Sequence, residues 1–390
     1  MYKKIDECLA CGFGNLVTIL DLKSQPLANN LKDQSKLFPL KLKLCESCYH
    51  AQLSISVNPE TLFLDYLYIS GTSMTLKNYF KKFASEYLKS NPNTKSILDI
   101  ACNDGSQLLE FEAIEKNLNL VGIDPAKGAL DLIDSSSRIK KINGFWPMSI
   151  GEKFDLIIMQ NVLAHSGDPL SMLAEAFKHL NDCGKVVVQT SQCNMFSNGE
   201  FDTIYHEHIS FFNFNSMNKL VNRAGLFIES CKVEDIHGSS YVFTLSKKQN
   251  TDIESIPRYL FEKNEINQYS KDYYLDYVSL VEKKIKLLCS INKLPNLVGL
   301  GAAAKATVAL NAANMDNILF LLDENPLKIG KKVRVGESYK GIYGLDCLDK
   351  DLRYNIIIFA WNFREELIKK MNFFRGGVDK YITVYPYFKN

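Results

Sequence analysis

The sequence predicts an α/β protein: two units with parallel sheets behind a small cysteine-rich module. Three observations predict it. Two C-x-x-C motifs lie within the first fifty residues. Four apolar strand-like runs alternate with helix-like stretches between residues 95 and 190. A strand, glycine turn and helix then recur at 296–314. A chain of 390 residues exceeds one ordinary core, so two or three domains are expected. The boundaries read as 1–75, 76–248 and 249–390.

In the first module, Cys8 and Cys11 are followed by Gly12, and Cys45 and Cys48 form the second pair. Paired C-x-x-C motifs are the usual form of a tetrahedral zinc site, and four thiolates close it, so the metal's role is structural. Gly12 permits the tight turn. Residues 13–44 must loop out and return. His50 reads as a surface residue rather than a further ligand.

The central unit begins with KSILDIACNDGSQLLEF (95–111), a strand, a polar glycine turn and a helix. LNLVGIDPA (118–126), FDLIIMQNVLAH (154–165) and GKVVVQT (184–190) supply further strands. Continuous apolar strands separated by helices imply a parallel sheet covered on both faces. Ligands bind such sheets at the carboxyl ends of the strands. The first loop has one glycine where a dinucleotide fingerprint has three, and it is not a P-loop. Asp99 and Asp104 suit a cationic or hydroxyl-rich ligand. Asp124 stands where a carboxylate can accept from ribose hydroxyls. S-adenosylmethionine, with an adenosine and a positive sulfonium, fits; helix capping by the two acids is the competing reading.

Residues 251–292 carry apolar positions at helical spacing. NLVGLGAAAKATVALNAAN (296–314), NILFLLDENP (317–326) and YNIIIFAWNF (354–363) then form a second, smaller α/β unit. Its loop Gly299–Lys305 has small residues, a helix N-terminus and a lysine. That combination suits a phosphate-bearing ligand, with a purely structural turn as the alternative.

IYHEHISFF (204–212) gathers Tyr205, His206, Glu207 and His208. It lacks the H-E-x-x-H spacing of a zinc protease. On a strand, His206 and His208 would share one face and Glu207 the other. Phe211 and Phe212 read as core.

Net charge is +2, from 46 basic and 44 acidic residues, which argues against wide binding of nucleic acid. No run approaches the length of a membrane span. The N-terminus has no apolar leader. Ten cysteines are too sparse for a disulfide scaffold. A cytoplasmic protein is expected.

From end to end the chain resembles the bacterial nucleotide-sugar C-methyltransferases. The resemblance rests on C-x-x-C-G with a later C-x-x-C, YLYISGTS (66–73), DIACNDG (99–105), VGIDP (121–125) and NVLAH (161–165). It continues through FDTIYHEHISFF (201–212), IHGSS (236–240), GLGAAAK (299–305) and FAWNFREEL (359–367). It implies a zinc-binding N-terminal domain, a class I methyltransferase domain and a C-terminal Rossmann-like domain. The substrate it implies is a deoxy-ketosugar linked to a nucleoside diphosphate, methylated at carbon. It further implies zinc on Cys8, Cys11, Cys45 and Cys48, and S-adenosylmethionine on Asp99, Cys102, Asn103, Gly105, Asp124 and Asn161. Catalysis would fall to His208, Tyr205, Glu207, His165 and Tyr68, and substrate binding to Tyr66, His206, His237 and Lys305.

The chemistry is coherent. A carbon beside a ketone becomes nucleophilic once a base removes its proton. His208 is the preferred base, with Glu207 or His165 orienting it or relaying the proton. Tyr205 is the preferred donor to the enolate oxygen. Three positions depart from the family pattern: Ser239 in place of a glycine and no arginine after it, Ala306 for a glycine, and Gln189 for a glutamate. Methylation of oxygen or nitrogen, or of RNA or protein, would use the same scaffold.

Overall fold

The computed structural model describes residues 1–64, 68–191, 193–236, 238–249 and 269–385. Its centre is a seven-stranded sheet. From one edge the strands run Lys140–Asn143, Asn119–Asp124, Ser96–Ile100, Phe154–Gln160, Leu180–Ser191, Ser240–Ser246 and Phe227–Glu234. Six of the seven run parallel, and only Ser240–Ser246, between Leu180–Ser191 and Phe227–Glu234, runs antiparallel to its neighbours. Burial of almost every residue of Ser96–Ile100 and Phe154–Gln160 explains why these strands read as unbroken apolar runs. The order reverses beside Ser96–Ile100, so the loops after that strand and after Phe154–Gln160 open onto one crevice.

Helix Met74–Ser90 starts on Ser73, whose hydroxyl accepts from the Leu76 amide. Phe80, Phe83, Ala84 and Tyr87, spaced three and four apart, form its buried face. Phe83 meets Phe111 of helix Ser106–Ile114 edge to face at 6.0 Å.

The N-terminal module carries a four-stranded antiparallel sheet in the order Leu16–Gln25, Phe38–Cys45, Ala51–Leu53, Ser210–Phe211. The predicted excursion 13–44 is therefore mostly the hairpin of the first two strands. The last strand comes from far along the chain: Ser210 pairs with Gln52 and Phe211 with Ala51.

Helix Lys271–Ile291, capped by Ser270, leads into a six-stranded sheet. Its parallel strands include Leu297–Leu300, Leu321–Leu322 and Asn355–Ile358. The predicted strand at 317–326 shrinks to two residues, and 251–268 lie outside the described residues. No helix of the described residues is long and apolar enough to cross a membrane.

Gly301 ends the strand Leu297–Leu300 at φ +92°, and a Cβ there would stand 2.8 Å from Ala360 Cβ and 3.1 Å from the Ala360 amide nitrogen. Backbone cannot yield as a flexible side chain can. Gly301→Ala is expected to cost about 1–3 kcal/mol, read as a lower thermal midpoint; an unchanged midpoint would mean the loop relaxes freely.

Candidate active site and zinc site

A cavity of about 1220 Å³ opens where the N-terminal module, the seven-stranded sheet and the six-stranded sheet meet. Asn29 and Phe63 reach it from the first, Asp99, Asn103, Asp124, Asn161 and His165 from the second, and Gly301–Lys305 and Asp323 from the third. Tyr205 and His208 also face it.

The loop after Ser96–Ile100 is held in an uncommon shape. Ala101 and Asn103 take φ +60° and +53°, and Asn161 across the crevice takes +54°. Such conformations persist where the surroundings impose them, often at binding sites. Asp124 imposes one: its Oδ2 accepts from the Asn103 amide at 2.9 Å and its Oδ1 from the Ala126 amide at 2.7 Å. Asn103 in turn accepts from Ser70 N and donates to Tyr68 O. Asp104 accepts from Gly71 N at 2.8 Å and from the Ser106 amide and hydroxyl, so capping is its part. Gly105 is off the cavity wall; at φ +70° it makes the turn into the helix. Cys102 is buried and lines the cavity.

Asp99 differs from its neighbours. It accepts no side-chain hydrogen bond from the described residues, and burial, then Asp124 and Asp104, push its carboxyl well above the usual range. A cationic ligand relieves that field, and Asn161 Oδ1 and Gln189 Oε1 are buried acceptors without partners on the same wall. This set fits S-adenosylmethionine, with its sulfonium and ammonium.

The stretch Tyr205–His208 is a turn, not a strand: the His208 amide donates to Tyr205 O at 2.8 Å. The expected sharing of a face by His206 and His208 is therefore corrected. His208 Nδ1 lies 2.8 Å from Thr203 O and Nε2 lies 2.8 Å from Tyr205 Oη. A carbonyl only accepts, so Nδ1 carries the proton and the tyrosine hydroxyl donates to Nε2. The rings stand 4.0 Å apart. His165 stacks on Phe63 and approaches His208 with ring centroids 5.1 Å apart; burial drops its pKa to about 4, so it is neutral.

His206 turns away from the cavity. It packs edge-on against Phe38 with Nε2 3.3 Å from Phe38 O, which corrects its placement at the substrate. Glu207 accepts from Asn29 Nδ2 at 3.1 Å, while its other oxygen is buried without a partner. The atom that orients His208 is thus the Thr203 carbonyl, not Glu207. Tyr68 lies beside Asp104, next to the cofactor loop. Lys305 lines the far side. Tyr66 and His237 lie outside the described residues. Sequence reasoning missed Thr203, which acts through its backbone, and Asn29, which is 178 residues from its partner. His50, expected at the surface, is fully buried beside Ser210, because it sits between the cysteine module and the strand that module captures.

The four sulfur atoms of Cys8, Cys11, Cys45 and Cys48 lie within 4.8 Å of one another, with Cys8–Cys48 and Cys11–Cys45 at 3.6 Å. Thiolates about 2.3 Å from a tetrahedral zinc stand at nearly this separation.

Three domain families match in series: a zinc binding domain over residues 8–63, a methyltransferase domain over 75–230 and a C-methyltransferase C-terminal domain over 235–386. C-methyltransferase NovU of Streptomyces niveus is 23% identical over 412 residues, spanning 98% of this chain and 96% of its own length. The chain belongs to the C-methyltransferase family built from these three domains. It is an S-adenosylmethionine-dependent methyltransferase with a structural zinc site. A tRNA U34 carboxymethyltransferase of Sulfurimonas denitrificans is 34% identical over 107 residues, 26% of this chain and 36% of that one. A solved methyltransferase from Clostridium acetobutylicum overlays 44% of this chain and 91% of its own at 15% identity and a TM-score of 0.36.

Two outcomes follow from this geometry. Elemental analysis should find a single zinc ion per chain, and Cys45→Ser should lose it and lower the melting temperature; full stability without metal would show the thiols suffice. Glu207 is the second. Burial raises its pKa from 4.5 to about 7. The folded chain therefore holds a proton the unfolded chain releases, and stability falls as pH rises from 4.5 to 7 and is level above. Glu207→Gln should remove that slope and be more stable than the parent above pH 7 by about 3 kcal/mol. Parallel pH–stability curves for the two proteins would contradict it.

Proposed function

We propose that this C-methyltransferase acts on a deoxy-ketosugar linked to a nucleoside diphosphate, at the carbon beside the ketone. The observation that carries the reading is the Tyr205–His208 pair, which faces one cavity between an acidic cofactor loop and the lysine loop Gly301–Lys305. Asp99, Asn103, Asp124 and Asn161 hold S-adenosylmethionine, with Cys102 packed behind and Gly105 shaping the turn. When bound, that cofactor supplies an electrophilic methyl group.

The chain's own residues do the rest. Thr203 O fixes the proton of His208 on Nδ1 and leaves Nε2 basic. The Tyr205 hydroxyl has one proton and two possible acceptors. Without substrate it donates to Nε2. With a ketone in place it donates to the carbonyl oxygen, which frees Nε2 to take the proton from the adjacent carbon. The charge that develops on oxygen is then met by an O–H already positioned. His165, neutral and against Phe63, packs the second wall of this pocket. Glu207 ties the turn to Asn29 of the N-terminal module. Lys305 supplies the positive charge a diphosphate needs.

The domain limits 1–75, 76–248 and 249–390 are kept as the working division. Reduced thiolates suit a cytoplasmic setting, and the near-neutral charge offers nothing to nucleic acid.

The test is methyl transfer from labelled S-adenosylmethionine to a panel of nucleotide-linked 4-ketosugars, with products read by mass and proton spectra. One methyl on carbon, with loss of the proton beside the ketone, is expected. A methyl on oxygen or nitrogen would discard the enolate chemistry. His208→Asn should lower kcat by about 10²–10⁴ and Tyr205→Phe by about 10²–10³, both still binding the cofactor; full turnover in either would remove that residue's role.

A further inference from the structure

Beside the cavity, two buried carboxylates, Glu200 and Asp202, lie near two half-buried lysines, Lys284 and Lys305, of which only Lys305 is used above. Glu200 and Asp202 come from the segment just ahead of the Tyr205–His208 turn. Lys284 comes from helix Lys271–Ile291, and Lys305 from the first turn of helix Ala304–Ala312. Asp202 is 1% exposed. Its Oδ2 accepts the indole N–H of Trp361 at 3.0 Å. The face of the same indole carries Lys305, with Nζ 3.8 Å from the ring centroid. No carboxylate of the described residues stands within 4.0 Å of that ammonium. Lys305 is therefore held by a ring face, and its N–H donors are left for a ligand.

A buried carboxylate met only by neutral donors, the Trp361 indole and the Tyr385 hydroxyl, is costly unless something else uses its charge. Asp202 is also the residue before Thr203, whose carbonyl sets the His208 tautomer. We propose that Asp202 is a positioning residue: through Trp361 it fixes the Lys305 ammonium at the cavity wall, and through Thr203 it ties that position to the Tyr205–His208 dyad. This rests on reading Lys305 as the cation that receives the substrate's diphosphate.

The charge has a second consequence. Burial lowers the Lys305 pKa, and Asp202 and Glu200 are the groups that oppose it. Lys284, Tyr277 and Tyr385 surround the same carboxylates. Without the Asp202 charge, Lys305 loses its proton at lower pH, and anion affinity falls earlier on the alkaline side.

The experiment is calorimetric titration of the full chain with the diphosphates of uridine, thymidine, guanosine and cytidine. S-adenosylhomocysteine binding serves as the check on folding. Asp202→Asn and Trp361→Phe should each weaken the best diphosphate about tenfold and leave S-adenosylhomocysteine affinity unchanged. Asp202→Asn should add no further loss on a Lys305→Met background, and it should move the alkaline limb of diphosphate affinity to lower pH. Unchanged diphosphate affinity in Asp202→Asn, or a full loss added to that of Lys305→Met, would overturn the positioning role. Should Asp202→Asn lose S-adenosylhomocysteine binding as well, Trp361→Phe decides, since it keeps an aromatic face under Lys305 while removing the indole N–H. Unchanged affinity in Lys305→Met, or no binding of any diphosphate by the parent, would instead remove the nucleotide reading, and this proposal with it.

Discussion

Everything at the centre of this protein hangs on how one four-residue turn is held. Tyr205–His208 has no regular secondary structure of its own. Its exit is pinned by Ile209, whose amide donates to Ala164 O at 2.9 Å and whose carbonyl accepts from Leu53 N at 2.8 Å. The next two residues become the edge strand of the N-terminal sheet. Its entry is pinned by Asp202 against Trp361. A segment strung between the zinc-bearing sheet and the C-terminal unit cannot drift relative to either. That is how a structural metal site bears on chemistry it does not touch.

The cavity reflects a division of charge. Carboxylates crowd the loop after the first central strand, and most are spent on backbone amides, which shape the loop and leave Asp99 to face the ligand. On the opposite side Lys305 lies against the Trp361 ring face, and Lys328 pairs with Asp323. A cationic cofactor is drawn to the acidic end, and the nucleotide-linked substrate proposed above would be drawn to the other. Between them lies a mostly uncharged set: a neutral His165, and a tyrosine donating to a histidine. The proton removal from carbon proposed above would use such a place, because a charged neighbour shifts the protonation state of the base.

Much of this was legible in the residues. Apolar runs revealed the parallel strands because both their faces are buried. Cysteine spacing revealed the zinc site because each pair converges locally. Asp99, Asp124, Tyr205, His208 and Lys305 were found from motifs, and all line one cavity. The misreadings share a cause. His206 and His50 are histidines whose direction is set by distant partners, Phe38 and Ser210. Glu207 stands next to His208 in sequence, yet its partner is Asn29.

The sequence by itself determined the element types, the two α/β sheets, the thiolate cluster and the kinds of side chain available for catalysis. These follow from local periodicity and short-range spacing, which the chain carries in its own order. Only the tertiary structure decided which side chains meet. It put a backbone carbonyl, Thr203 O, in the orienting role and sent Glu207 to a residue 178 positions away. It also set an indole between Asp202 and Lys305. Contacts across such separations depend on how packed layers register, and no local pattern encodes that.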